Sequence, residues 1–230
     1  MDKYSVVFNR FQSYTTINTV RSYCACSSNN GLCVCGASNN GIVSAFDAWM
    51  AKFFDEYLIW HHSGTANLCS YIAVELGMCS TDRRMLIQSA LLHDIGKLFV
   101  SYRILSKMGV LSDEEMAILK NHSLSGADFL LRRGFSEDIV LSIKHHHERH
   151  DGTGYPDGLS GFDIPLNSRI ISVADTLDAM LSGRHYHESK YDRTEIATAL
   201  EDGKGKHFDP QIAEIALRYI LKKENVVCLK

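Results

Sequence analysis

Residues 139–156 read Ile139-Val140-Leu141-Ser142-Ile143-Lys144-His145-His146-His147-Glu148-Arg149-His150-Asp151-Gly152-Thr153-Gly154-Tyr155-Pro156. A helix that begins at Ser136-Glu137-Asp138 carries the apolar run Ile139–Ile143 and ends on three consecutive histidines. Imidazoles at consecutive positions of a helix end point to several faces. The stretch Asp151–Gly161 then holds four of the chain's 16 glycines and one of its three prolines, so it reads as a loop. A solvated run of histidines is the bland alternative. It is disfavoured because a patterned helix precedes the run and a glycine-rich loop follows it at once.

Outward from this stretch the pattern stays helical. Apolar residues recur at helix spacing over Phe46–Leu76, and Gly77 is a stop. Ser80-Thr81-Asp82 starts a helix that runs into His93-Asp94, and Ser112-Asp113-Glu114-Glu115 is a capping-box start for one reaching His122. Helices resume over 167–181, 193–200 and 210–221, the last with Pro210 at a starting position. Residues 46–230 are therefore expected to form one all-α domain. Residues 1–45 differ, being rich in Ser, Asn, Thr, Gly and Cys, and alternation around Ser27–Gly31 predicts a β-hairpin appendage.

Composition narrows the function. The chain has 230 residues, 45% hydrophobic and 22% charged, which suits a globular domain able to build its own core. The net charge of −3 argues against a nucleic-acid polymer as partner. No apolar run approaches the roughly 20 residues of a membrane helix, and no secretory signal stands out at the N-terminus. Seven cysteines, an odd number, fit a reducing cytoplasm. Eleven histidines are the excess, and ten of them fall between His61 and His187.

Two further clusters carry ligand chemistry. In Leu91-Leu92-His93-Asp94-Ile95-Gly96-Lys97 an imidazole and a carboxylate follow a buried run; the alternative is a histidine capping its helix with a polar neighbour. In Val173-Ala174-Asp175-Thr176-Leu177-Asp178-Ala179, Asp175 is expected to be buried, where a carboxylate is costly unless paired or metal-bound. A buried salt bridge is the alternative there. His122 taken alone reads as a surface histidine. Imidazoles and carboxylates gathered between helices suit a metal centre.

In this order HDIGK, an isolated His, HHExxDGxGYP and VADxxDA resemble the HD-GYP family, bacterial phosphodiesterases of the HD superfamily that hydrolyse cyclic di-GMP. The resemblance covers about residues 46–221. It implies an HD-type helical bundle with a dinuclear site and a cytoplasmic enzyme that makes pGpG, GMP or both through a metal-bridging hydroxide. His61, His93, Asp94 and Asp175 would hold one ion, and Asp94, His122, His146 and His147 the other, with Asp94 as bridge and catalytic residue. A gap-free register favours His61 over His62, which is then expected to be partly exposed. Tyr57 stands where some members have a glutamate for a third ion, so two ions are expected. The family most often uses iron or manganese, while nickel and zinc also suit such ligands.

The resemblance also implies that Lys97 donates to a non-bridging phosphate oxygen as a second catalytic group. Gly154, Tyr155 and Pro156 would wall the guanine site, Arg184 would contact substrate, and Asp178 would support the site from behind. Glu148 and Asp151 would orient ligands and the loop. Homodimerisation is a family habit. Lys107-Met108-Gly109 and Arg184-His185-Tyr186 depart from the family's Lys-Pro-Gly and Arg-Pro-Tyr, which puts base preference in question. Alternatives are a phosphohydrolase for another nucleotide, such as cyclic GMP-AMP, and an adaptor that binds cyclic di-GMP without cutting it. Cys24, Cys26, Cys33 and Cys35 form CxC-x6-CxC, either a metal site or a reduced hairpin.

Overall fold

The computed structural model describes residues 56–182 and 191–222, with side chains from residue 60. The expected hairpin, the four paired cysteines, the boundary at residue 45 and Arg184 lie outside these residues. The chain divides into two units, 1–63 and 64–230. The described part of the first is the opening of helix α1 (Glu56–Glu75).

In the second unit α1 continues to its stop, where Gly77 takes the left-handed backbone that favours glycine, φ 70°. There follow α2 (Ser80–Leu92), a 3-10 turn (Ile95–Phe99), α3 (Tyr102–Leu105), α4 (Asp113–Lys120), α5 (His122–Leu131) and α6 (Glu137–Lys144). A second 3-10 turn (Gly161–Asp163) precedes α7 (Leu166–Ser182), α8 (Arg193–Gly203) and α9 (Pro210–Lys222). Among the described residues there is no strand, only one isolated bridge between Lys204 and Phe208. No described helix is long and apolar enough to cross a membrane. The all-α expectation holds.

Helix α4 begins as its sequence dictates. Ser112 Oγ accepts from Glu115 N at 3.2 Å, and Glu115 Oε2 accepts from Ser112 N at 2.8 Å. Its end differs from expectation. The helix does not run through to His122; it closes at Asn121, and the same residue opens α5. Helix α5 escapes sequence reading because Ser123, Ser125 and Gly126 break the apolar spacing of Leu124, Phe129 and Leu130.

The core lies among α2, α5, α6 and α7, with the α8–α9 hairpin packed on α7 through α9. Leu86, Leu91, Leu92, Leu130, Ile143, Ile170 and Ile171 are fully buried there. Each such side chain is worth roughly 1.5–3 kcal/mol in water-exclusion. Ser168 Oγ donates to Ser142 O at 3.0 Å, which sets α7 against the end of α6. Arg169 Nη1 donates to Asp209 Oδ2 at 2.5 Å, and Asp209 Oδ1 accepts from Gln211 N at 2.8 Å at the start of α9. Helix ends and the turns after them carry the chemistry.

Candidate metal centre

Three histidines stand at helix ends and share one device. His93 follows α2, His122 follows α4, and His146 follows α6. Each Nδ1–H donates to the carbonyl three residues back: His93 to Ala90 O at 2.7 Å, His122 to Leu119 O at 2.6 Å, His146 to Ile143 O at 2.6 Å. Helix-end carbonyls have no partner inside the helix, so they are free to accept these protons. A carbonyl can only accept, so each ring is held with its proton on Nδ1 and, when neutral, a lone pair on Nε2.

Those lone pairs converge on Asp94, which is 2% exposed. His122 Nε2 lies 3.2 Å from Asp94 Oδ1, and His93 Nε2 lies 3.4 Å from Asp94 Oδ2. On the His93 side, Asp175 Oδ1 of α7 is 3.7 Å from the same Nε2. On the other side, His147 Nε2 is 3.2 Å from His122 Nε2. Asp94, His122, His146 and His147 can bring ligand atoms within 4.8 Å of one another. His146 Nε2 is buried with no hydrogen-bond partner. Burial, then the neighbouring His147, holds the His146 imidazole well below its usual pKa. Burial, then His122, pushes His147 down to about 3. These two rings are therefore neutral near pH 7.

The neutral His146 and His147 rings can bring lone pairs to the same point as the Asp94 carboxylate, a gathering of acceptors that a cation between them would relieve. The donor set therefore fits divalent metal, and its imidazole and carboxylate composition matches borderline transition metals.

Glycine makes this convergence sterically feasible. A Cβ on Gly96 would fall 1.8 Å from His122 O, and one on Gly126 would fall 3.0 Å from Gly96 N. The 3-10 turn thus meets α5 backbone to backbone, which sets Asp94 beside His122.

Of the three consecutive histidines, only two face this cluster. His145 turns away, buried, with Nδ1 3.5 Å from Glu148 Oε1 and Nε2 3.9 Å from Asp157 Oδ2. Glu148, also buried, accepts from Asp157 N at 2.8 Å and Gly158 N at 3.1 Å through the same Oε1. Asp151 Oδ1 accepts from Thr153 N at 3.0 Å and Thr153 Oγ1 at 2.6 Å. Both acids therefore pin the loop. Tyr155 N donates to His147 O at 3.2 Å, and the Tyr155 ring stacks on His147 at 4.8 Å between centroids. The Tyr155–Pro156 peptide is cis.

Several expectations change. His122 is buried, not a surface histidine. His62 is also buried, so exposure does not separate it from His61; the two rings are 5.9 Å apart on α1. The bare face of Gly154 is filled by its own loop, since a Cβ would fall 2.3 Å from Arg149 N and 2.5 Å from Glu148 Cα. Its missing side chain lets the loop fold back on the helix end instead of opening room for a base. Lys97 Nζ donates to Asp94 Oδ2 at 2.5 Å. Asp178 lies one turn beyond Asp175, with Oδ1 only 1.9 Å from where a Gly64 Cβ would sit. It packs on α1 and belongs to none of the ligand groups.

The HD domain family model matches residues 44–212. The chain belongs to the HD-domain family. Within this HD domain, HDIGK and HHExxDGxGYP are the HD-GYP signature. The chain is 37% identical over 163 residues to the cyclic di-GMP phosphodiesterase response regulator RpfG of Xanthomonas campestris, covering 70% of this chain and 43% of that one. It is 34% identical over 161 residues to 3′3′-cGAMP-specific phosphodiesterase 2 of Vibrio cholerae, covering 69% of this chain and 31% of that one. A solved structure, Bd1817, an HDG"Y"P protein from Bdellovibrio bacteriovorus, superposes with a TM-score of 0.60 at 27% identity. That match covers 80% of this chain and 60% of the other. The chain thus spans less than half the length of these two curated relatives.

Proposed function

We propose that this HD domain is a metal-dependent phosphodiesterase that hydrolyses cyclic di-GMP to pGpG, GMP or both. One observation carries the reading: the two oxygens of buried Asp94 face two different imidazoles, His93 and His122, each with its Nδ1 proton held by a carbonyl. A carboxylate so placed suits a bridge between two ions. A divalent pair there would supply Lewis acidity toward a phosphoryl oxygen and a nucleophile at neutral pH.

The protein's own part is positional. His93, Asp94 and Asp175 would serve one ion, with His61 as its remaining ligand. Asp94, His122, His146 and His147 would serve the other. Iron or manganese is the expected metal. Lys97, now on Asp94 Oδ2, would add positive charge beside a phosphate oxygen. Tyr155 and Pro156 would border the base.

Turnover tests the reading. Metal-loaded full chain is incubated with cyclic di-GMP and the products are separated; pGpG or GMP is expected, and neither from a fully metallated sample refutes it. A second reading, cleavage of cyclic GMP-AMP, is supported by the Vibrio cholerae relative's specificity. Comparing kcat/KM on the two dinucleotides separates them.

A further inference from the structure

Lys120 closes α4 two residues before His122. Its Nζ lies 5.3 Å from the centroid of the Tyr155 ring, and that ring is stacked on His147. The ammonium is therefore within about 10 Å of the His147 imidazole. A cation over an aromatic ring is attracted by the negative π face.

Lys120 differs from the other cations near this end of the domain. Lys97 is committed to Asp94, Lys144 donates to Asp157, and Lys107 donates to Glu115. Lys120 has no carboxylate partner among the described residues, and it is exposed. An ammonium left without an anion, poised on an aromatic ring that borders the ligand cluster, is suited to an anion that arrives with the substrate. A phosphodiester reacting at Asp94 has Lys97 beside it. A cyclic dinucleotide carries a second phosphate, one nucleoside away, and among the described residues no other cation is placed to meet it.

We propose that Lys120 binds the phosphate of a cyclic dinucleotide that is not being cleaved, and so selects two-phosphate substrates over simple diesters. This rests on the phosphodiesterase reading above. The test compares wild-type, Lys120→Met and Lys120→Arg full chains, loaded to equal metal content, on three substrates. These are cyclic di-GMP, cyclic GMP-AMP and bis(p-nitrophenyl) phosphate, the last with a single phosphate.

Loss of one charge-assisted contact is expected to raise KM for both dinucleotides roughly tenfold in Lys120→Met, with kcat within about twofold. The kcat/KM ratio of dinucleotide to small diester should fall by a similar factor, and Lys120→Arg should restore most of it. An unchanged KM overturns the proposal. So does an equal loss on the small diester, which would place Lys120 at the reacting phosphate. A loss confined to cyclic di-GMP also overturns it, because that is readout of a base edge. A wild-type chain that cuts the small diester and neither dinucleotide defeats the cyclic-dinucleotide reading of the proposed function instead.

Discussion

At Leu91–Phe99 the chain leaves a helix through His93 and passes directly into a 3-10 turn; at Lys144–Gly158 it leaves a helix through His145–His147 and enters a glycine-rich loop. Both exits hold an imidazole by the carbonyl three residues back. They then stabilise the departing chain differently. The first relies on backbone contact, with Gly96 against His122 O. The second also has a close backbone approach, Gly154 against Arg149 N, and adds to it a buried side chain, Glu148, which accepts from two loop amides. At the first exit a methyl on Gly96 has nowhere to go, whereas at the second Glu148 can be altered without adding volume.

That contrast can be broken first at Gly96. Gly96→Ala puts a methyl 1.8 Å from a backbone oxygen, not from a flexible side chain. The 3-10 turn and α5 must separate, at a cost of at least about 1–3 kcal/mol. Thermal or urea unfolding should show that loss together with reduced metal content. Wild-type stability and metal content in Gly96→Ala would show that the approach of the two backbones does not set the site.

Glu148→Gln should act on the other exit. It keeps the size and one acceptor oxygen but loses the charge facing two amides. Loss of charge from a hydrogen bond costs roughly 1.5–3 kcal/mol, expected here as a KM raised about tenfold by a loosened loop, with α-helical content retained. Unchanged kinetics would mean that the loop is held by Tyr155 N on His147 O and by its turns alone.

Acid sharpens the comparison further. His146 and His147 have folded pKa values below the unfolded value, so the unfolded chain binds protons that the metal-free folded chain does not. Stability is therefore present above about pH 6.5 and lost as pH falls toward 3. His147 contributes a slope of up to about 1.4 kcal/mol per pH unit in that window, and His146 acts in the same direction. Urea midpoints of metal-free protein from pH 7 to 5 should fall, and His147→Gln should flatten the decline. A flat wild-type profile contradicts it.

The helical body was legible in the chain because its elements carry both period and caps, as at Ser112–Glu115 and Gly77. Helix α5 was not, because the glycine and serines that let α5 approach the 3-10 turn erase its apolar stripe. The candidate ligands His93, Asp94, His122, His146, His147 and Asp175 follow from motif order, yet their convergence does not. It depends on carbonyl-held rings and a glycine contact between segments 26 residues apart. Three adjacent histidines look equivalent in sequence. His145 was diverted by Glu148 and Asp157, and a carboxylate three residues after a histidine at a helix end is the signal that could have separated it. Lys120 carries no motif signal, since only the fold brings α4 to Tyr155.

The central claim is that one carboxylate joins two metal sites, and Asp94→Ala tests it most directly. Wild-type and variant chains are loaded with iron or manganese, dialysed, checked for helical content, and their bound metal is measured by inductively coupled plasma mass spectrometry. The bridge predicts two ions per wild-type chain and loss of both in Asp94→Ala. A folded Asp94→Ala chain that keeps two ions would contradict it.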